Sequence, residues 1–577
     1  MNEQRNMILA IALSAIVLFG WGIVTEYFFP TANPPATRIV DGKEVPVARP
    51  SDVKSTAPAP AAPAAPRDLA TVRGESPRVA IETPRLRGSI NLRGARIDDL
   101  VLSTEKVTIK PNSPPVRLFA PQGTADSYYA GFGWTGQGVE LPGPDTGWTA
   151  PQGAKLTPET PVTLTWPNRT GQIFEIRLAV DKDYLFTAEQ RVTNRGTGAV
   201  AVRPYSLISR AKASKDPDTW TLHVGPVGVF NGVANYDWGF EDLVEEGERD
   251  FASTGGWIGF GDAYWLAAVV PDQRSRVDAA FIPPTETGGF RAIAYVDNAV
   301  VAPNTATAAR SSLFAGAKEI KLLDRYTASL GTPLEQAIDW GWFEWFMKPI
   351  FKLLNWLFAQ LGNFGLAIIG LTLIVRLLMF PVAQKQFKSF AGMRVLQPKM
   401  KALQERYKDD KPRLQQEMLK LYQEEKVNPM AGCLPILIQI PIFYALYKVL
   451  LLAVEMRHQP FILWIKDLSA PDPLTPVNLF GYLPWDPPGF LALGVLPILL
   501  GVTMWLQFKL NPPPADPVQQ QVFAFMPWVL MFVMAPFAAG LQLYWTVNNI
   551  LTILQQKWLY SRHPGMKEAV ATAPAKP

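Results

Sequence analysis

The sequence predicts a multi-pass α-helical membrane protein with six transmembrane helices and one large all-β domain outside the membrane. Three observations carry this. The 577 residues divide sharply in polarity, so a mean hydropathy near zero (+0.05) averages two unlike regions. Residues 30–334 have the composition of a water-soluble chain, whereas residues 340–560 are dense in Leu, Ile, Phe, Trp and Met. The soluble part alternates apolar and polar residues with the period of strands. The apolar part falls into runs long enough to cross a bilayer.

Residues 7–24 form an apolar stretch behind Arg5. A cleaved signal peptide is the competing reading. The long apolar core, with no small-x-small site after it, favours an uncleaved anchor, residues 1–29. Residues 30–77 are rich in Pro and Ala (TAPAPAAPAAP), bury no core, and read as a tether. Across residues 78–333, segments such as VTLTW, IFEIRLAV, LFTAEQRVTN and RAIAYV alternate between Gly, Pro, Asn and Asp breaks. This predicts an all-β sandwich. Its many aromatic residues are expected mainly to fill the core, with a ligand cleft as the alternative. KEIKLLDRYTASL then predicts a helix leading out of the domain.

Residues 334–362 hold an aromatic-rich segment with Lys348, Pro349 and Lys352 in its middle, the mark of a helix lying in the membrane interface. The second span is placed at residues 363–383. Residues 384–432 form a basic connection, and residues 433–556 hold the third to sixth spans, at 433–454, 489–508, 522–536 and 537–556. Residues 557–577 are a tail. The connection 384–432 carries eleven Lys and Arg, against only Arg457 and Lys466 in residues 455–488. The positive-inside rule therefore places both termini and the basic connection in the cytoplasm and the β-domain outside.

Within that connection Leu396, Met400, Leu403 and Tyr407 share one helical face, and Leu414, Met418 and Leu421 share another. Asp409-Asp410-Lys411-Pro412 between them supplies an N-cap and an early-turn proline, so a helical hairpin is expected. A solvated spacer and a docking arm for a cytoplasmic partner are equally open readings of it.

Arg376 stands alone inside the run FGLAIIGLTLIVRLLMFPV, and no acid lies in the other expected spans. A charge at that depth is costly unless it meets water, headgroups or a ligand. Thr372 lies one turn before it on the same face. In the last span Gln542, Trp545, Asn549, Thr552 and Gln556 recur at spacings of three and four and form a polar stripe. Gln439, Thr503 and Gln507 add polar groups elsewhere. Taken singly, most of these suit hydrogen bonding between helices at about 0.6 kcal/mol each. Arg376 suits a wet cavity open to the cytoplasm, with snorkelling to the interface as the structural alternative.

Other chemistry is excluded on composition. One cysteine, Cys433, rules out an internal disulfide framework, and the three histidines are far apart, so no metal site is expected. No phosphate-binding loop is present, so neither a nucleotide nor another cofactor is expected, and the chain is not read as an enzyme. A net charge of +5 argues against a nucleic-acid function.

At this level of detail the chain resembles the YidC-type membrane protein insertases (the YidC/Oxa/Alb family), in the Gram-negative form with a large periplasmic domain. The resemblance rests on GLAIIGLTLIVRLLMFPVAQKQ, MRVLQPKMKALQERYKDDK, EKVNPMAGCLPILIQIPIFYALYKVL and LWIKDLSAPDP. It implies a five-helix insertase core, a β-supersandwich in the periplasm and a hydrophilic substrate groove open to cytoplasm and lipid. On that pattern Arg376 and Thr372 match groove residues, and Gln439, Ile440 and Phe443 match the stretch that meets the substrate helix. Tyr544 and Trp545 match an aromatic pair, with Trp545 standing where the family pattern carries tyrosine. Gln542 and Asn549 complete the groove set. A second departure is Phe537-Ala538-Ala539-Gly540-Leu541, in which Pro536 lies upstream of the position expected for proline.

The resemblance further implies nascent inner-membrane proteins as substrates, served alone or with the Sec translocon, and membrane lipids as surroundings. It implies a ribosome, with the signal recognition pathway, reached through the hairpin and basic tail. The expected mechanism is capture of a polar, acidic segment by Arg376, followed by release of the apolar helix into lipid along the third and fifth membrane helices. Two rivals are a small-molecule transporter and a membrane-anchored periplasmic glycan-binding protein.

Overall fold

A computed structural model describes residues 37–40, 43–46, 66–216, 221–285, 288–407, 410–425, 434–483, 485, 493–511 and 517–562. The anchor expected at residues 7–24 lies outside them. The chain forms two compact units. In the first, Thr37–Val40 pairs antiparallel with Lys43–Pro46, Thr37 opposite Pro46. The tether is therefore not featureless. Asp41-Gly42 between the two β-branched segments is a hairpin signal that a reading by composition passes over.

In the second unit, an eight-stranded and an eleven-stranded sheet pack face to face. Alternation decides which side chains fill the space between them. In Leu185–Asn194 the residues Phe186, Ala188, Gln190, Val192 and Asn194 are buried and their neighbours are not. Four adjacent strands of the larger sheet matter below: β1 (Arg96–Lys106), β2 (Tyr128–Gln137), β3 (Val200–Arg210) and β4 (Phe290–Val296). Buried polar groups tie the sheets together. Gln190 Nε2 donates to the Gly133 carbonyl at 2.7 Å, and Ser206 and Ser311 share a 3.0 Å hydroxyl contact. The predicted exit helix is α1 (Ile320–Leu330), closed by Gly331 at φ +71°, where a side chain would be strained.

The helical part continues with α2 (Glu344–Leu361), α3 (Phe364–Leu378), α4 (Phe380–Arg406), α5 (Lys411–Glu424), α6 (Leu434–Leu452), α7 (Val495–Leu510), α8 (Pro517–Met534) and α9 (Ala539–Arg562). Helix α2 is two-faced. Met347, Ile350, Phe351, Leu354 and Leu357 are buried, whereas Trp345, Lys352 and Trp356 are exposed. The turn into α3 follows from Gly362 at φ +66° and from Asn363, whose side chain accepts the Leu366 amide at 3.1 Å. The hairpin forms as its sequence requires. Asp410 caps α5 by accepting from Arg413 N at 3.2 Å, Pro412 sits in the first turn, and Leu396 and Met400 are buried on the opposing helix.

The described helices do not confirm the six-span expectation. Among the described residues no helix is long and apolar enough to cross a membrane. Hydropathy is continuous across residues 364–382 and predicts one span there. The backbone divides it at Met379, with Pro381 opening α4. Helix α3 then has 15 residues, about 22 Å at 1.5 Å per residue, and α7 has 16.

The β-domain is fastened to the helices by charged side chains from the segment after α6. Arg457 donates to the Lys106 carbonyl at 2.7 Å and lies 5.3 Å from the Trp265 ring centroid. The Glu455 carboxylate accepts from Ile320 N at 2.9 Å, filling the cap of α1.

Candidate functional site

The candidate site is built on α9, from which polar side chains reach α3, α6, α7 and α8. Arg376 Nε donates to Asn548 Oδ1 at 2.8 Å. Its Nη2 donates to the Asn548 carbonyl at 3.1 Å and also contacts the Thr552 hydroxyl. All three acceptors are neutral, and no carboxylate among the described residues pairs with this half-buried guanidinium. The arginine is therefore not without partners, as a count of acids in the apolar runs would suggest. It is oriented while its charge is kept. Asn548 is the residue that spacing alone missed, because the stripe through 542, 545, 549, 552 and 556 passes beside it. The available signal was the pair Asn548 and Thr552, four residues apart and so on one face.

Most of the stripe makes hydrogen bonds within the helical part. Gln542 is fully buried, and its Nε2 faces the carbonyls of Met534 (2.8 Å) and Phe537 (2.8 Å), closing the end of α8. Asn549 is buried and donates to Thr503 Oγ1 on α7 at 3.2 Å, and Gln556 donates to Asn511 at 3.0 Å. Thr372 is also fully buried, with its hydroxyl turned back to the Ile368 carbonyl at 2.7 Å. It shares the helix of Arg376 without touching it.

A second cluster joins α6 to α9. Gln439 Nε2 donates to the buried Tyr544 hydroxyl at 2.6 Å, and Phe443 meets Trp545 edge to face at 4.8 Å between centroids. Trp545 thus makes its contact through the ring, which needs no hydroxyl. Ile440, beside Gln439, is 58% exposed. Lys448 in α6 escaped the sequence reading. It is buried, with Nζ 3.8 Å from Asp339 Oδ2 at the foot of α2. A lone lysine inside a 19-residue apolar helix was the signal for it.

Outside the polar seam the helices expose a broad apolar surface. Leu377 and Leu378 on α3, Phe525, Val529 and Phe532 on α8, and Leu554 on α9 are all exposed. Surface of that extent in water would be an aggregation liability, so it defines a protein solvated by lipid. Together with the seam of polar side chains around Arg376, it defines the class as a helical membrane protein with one half-buried guanidinium held by neutral groups.

Comparison with known proteins narrows the class. Residues 78–353 match the family described as the YidC periplasmic domain, and residues 356–567 match the 60Kd inner membrane protein family. The membrane protein insertase YidC of Zymomonas mobilis is 47% identical over 98% of this chain and 97% of its own length. That of Methylobacterium radiotolerans is 42% identical over 98% and 96%. A solved structure titled as an active YidC insertase with its first transmembrane domain resolved is 19% identical and covers 83% of this chain and 91% of its own. At a TM-score of 0.36 it adds nothing to the assignment. The chain belongs to the YidC family of membrane protein insertases. It is an inner-membrane protein with a periplasmic domain, and an insertase rather than an enzyme.

Proposed function

We propose that Arg376 is the fixed charge of an insertion groove whose wall is α9, and that it captures acidic residues in the polar segment of a nascent inner-membrane protein. The observation that carries this reading is the set of neutral acceptors, Asn548 and Thr552, which aim the guanidinium without cancelling its charge. Its Nη1 has no partner among the described residues and is available to a carboxylate. Gln555, on the same face of α9 as Asn548 and Thr552, has its Nε2 buried without a protein partner, which supports a wet groove because such atoms are normally satisfied by water when protein does not reach them.

The captured segment lowers the cost of drawing its following helix into lipid, and burial of apolar surface drives the step. In this reading the departing helix slides along α6 and the neighbouring spans, past exposed Ile440, with the Phe443–Trp545 pair as a firm edge. Gln439 and Tyr544 hold α6 and α9 in place, while Gln542, Asn549 and Thr372 keep the groove wall packed. Both termini and the hairpin lie in the cytoplasm, with an N-terminal anchor, α3 with the start of α4, and α6 to α9 making six crossings. Helix α2 lies in the interface on its Trp345 and Trp356 face. The hairpin and basic tail receive the ribosome and its targeting factors, and the Sec translocon joins for larger substrates.

Reconstitution in proteoliposomes tests the capture step. Arg376→Ala should insert substrates with acidic, weakly apolar tails at least about tenfold more slowly, a loss of about 1.4 kcal/mol, while Arg376→Lys keeps most activity. Unchanged insertion of such substrates by Arg376→Ala would remove the basis of the proposal.

A further inference from the structure

The outward face of the eleven-stranded sheet carries a cluster of charges and phenols that insertion at Arg376 does not use. Strands β1 to β4 run side by side, and strand alternation turns Arg96, Tyr129, Arg203, Tyr205, Arg291 and Tyr295 away from the core. Tyr205 stands opposite Gly133 on β2 and opposite Tyr295 on β4. A Cβ on Gly133 would lie 2.5 Å from the Tyr205 hydroxyl, so glycine there lets the ring lie flat across the neighbouring strand. Tyr205 and Tyr295 have centroids 5.8 Å apart, and the Arg96 guanidinium lies 5.3 Å over the Tyr129 ring. The result is a half-buried shelf of rings edged by arginines.

Its acids lie toward one edge. Arg203 is paired with Asp278, and the exposed Glu248 and Asp250 lie at the rim, where Glu248 acts on Tyr295. Arg96 donates only to the neutral Gln122 amide. Arg291 has no side-chain hydrogen bond or ion pair among the described residues, and the Nε atoms of both Arg96 and Arg291 are buried without an acceptor. Burial and the neighbouring phenols push Tyr205 up to about 12, against the pull of Arg291 and Arg96, so all its chemistry near neutral pH is that of a neutral hydroxyl. On the same face beyond β1 lies a cavity of about 550 Å³ lined by Arg73, Arg87 and Arg117. There the buried Asp99 neutralises Arg73 and Arg117, and the exposed Arg87 stands opposite Glu82, which pairs with Lys155.

We propose that this face binds a carboxylate-bearing, extended polypeptide segment, held by Arg96 and Arg291 and lying over the Tyr205–Tyr295 shelf. Guanidinium forks match carboxylates in geometry, and arginine with tyrosine is the pairing that protein-recognition surfaces favour. A flat sheet face accommodates extended chain, and polypeptide is the polymer that an insertase handles. The inference rests on the capture reading only in taking the bound segment to be the acidic part of an inserted protein after it crosses.

Binding of a fluorescein-labelled Glu/Ser peptide of twelve residues to the full-length protein in detergent tests it, with a Gln/Ser peptide as control. The acidic peptide should bind in a salt-sensitive manner, and Arg96→Gln with Arg291→Gln should weaken it about tenfold or more. A photo-crosslinker at Leu207, between the two arginines on β3, should trap the acidic peptide in the otherwise unaltered protein and so does not depend on the double variant folding. Equal binding of both peptides, or no crosslink at Leu207, overturns the proposal. Displacement by oligogalacturonate at lower concentration than the peptide overturns it in favour of an acidic glycan. Arg376→Ala separates the two readings. If that change abolishes peptide binding while the double variant does not, the groove stands and this face is not the site.

Discussion

Arg376 and Lys448 show how differently two cations are accommodated in apolar helices. Arg376 is aimed by amide and hydroxyl oxygens and keeps its charge, whereas Lys448 is matched with Asp339. Asn548 becomes the sensitive neighbour. Asn548→Asp would put a carboxylate where the 2.8 Å amide contact now lies, and should slow insertion of acidic-tailed substrates as far as Arg376→Ala does. Asn548→Ala should cost less, since the charge survives with looser aim; insertion rates for one acidic substrate across the three variants provide the check. For Lys448, removing one partner should be worse than removing both. Lys448→Met should lower stability by about 1–3 kcal/mol, and adding Asp339→Asn should restore part of it, as thermal unfolding in detergent would show.

At the scale of elements, side-chain caps hold the helices in their register. Gln542 closes the end of α8 from within α9, so Gln542→Leu should strip the carbonyls of Met534 and Phe537 of their donor. The expected cost is about 1–3 kcal/mol, with insertion reduced alike for acidic and neutral substrates. That lack of charge dependence distinguishes it from Arg376 variants. In the hairpin, Asp410→Ala should fray the first turn of α5 by about 1 kcal/mol, seen as faster amide exchange at Arg413. The hairpin was legible because capping is local: an acid, a proline and two apolar faces suffice. The division of the run 364–382 at Met379 was not, because hydropathy counts side chains and is blind to where the backbone turns.

Across the whole molecule, the β-domain and helices meet through Glu455 and Arg457. Burial, the leading influence, pushes the Glu455 carboxyl up to about 7, and its backbone hydrogen bonds pull the other way. A carboxyl whose folded value is raised binds more protons folded than unfolded. Its contribution is therefore most favourable below its ordinary value near 4.5 and declines as pH rises toward 7. Thermal unfolding of the parent should show stability falling across that window by up to about 3 kcal/mol, and Glu455→Gln should flatten the fall. Removing residues 78–315 while keeping α1 should leave insertion of simple substrates largely intact in the same proteoliposome assay, because Arg376 and its partners Asn548 and Thr552 all come from the helices.

What the sequence determined by itself was whatever is periodic or local: the two-layered β-domain, the amphipathic α2, the capped hairpin, and an arginine whose depth demanded polar company. Family-specific strings added the family. The tertiary structure alone decided which polar residues hold Arg376, that Gln542 meets the end of α8 and Asn549 meets Thr503, and that Lys448 answers Asp339. Those pairings join residues up to 176 apart, as Arg376 and Thr552 are. Spacing along one helix gives the direction of a side chain but not the partner that meets it, since that depends on how two helices cross.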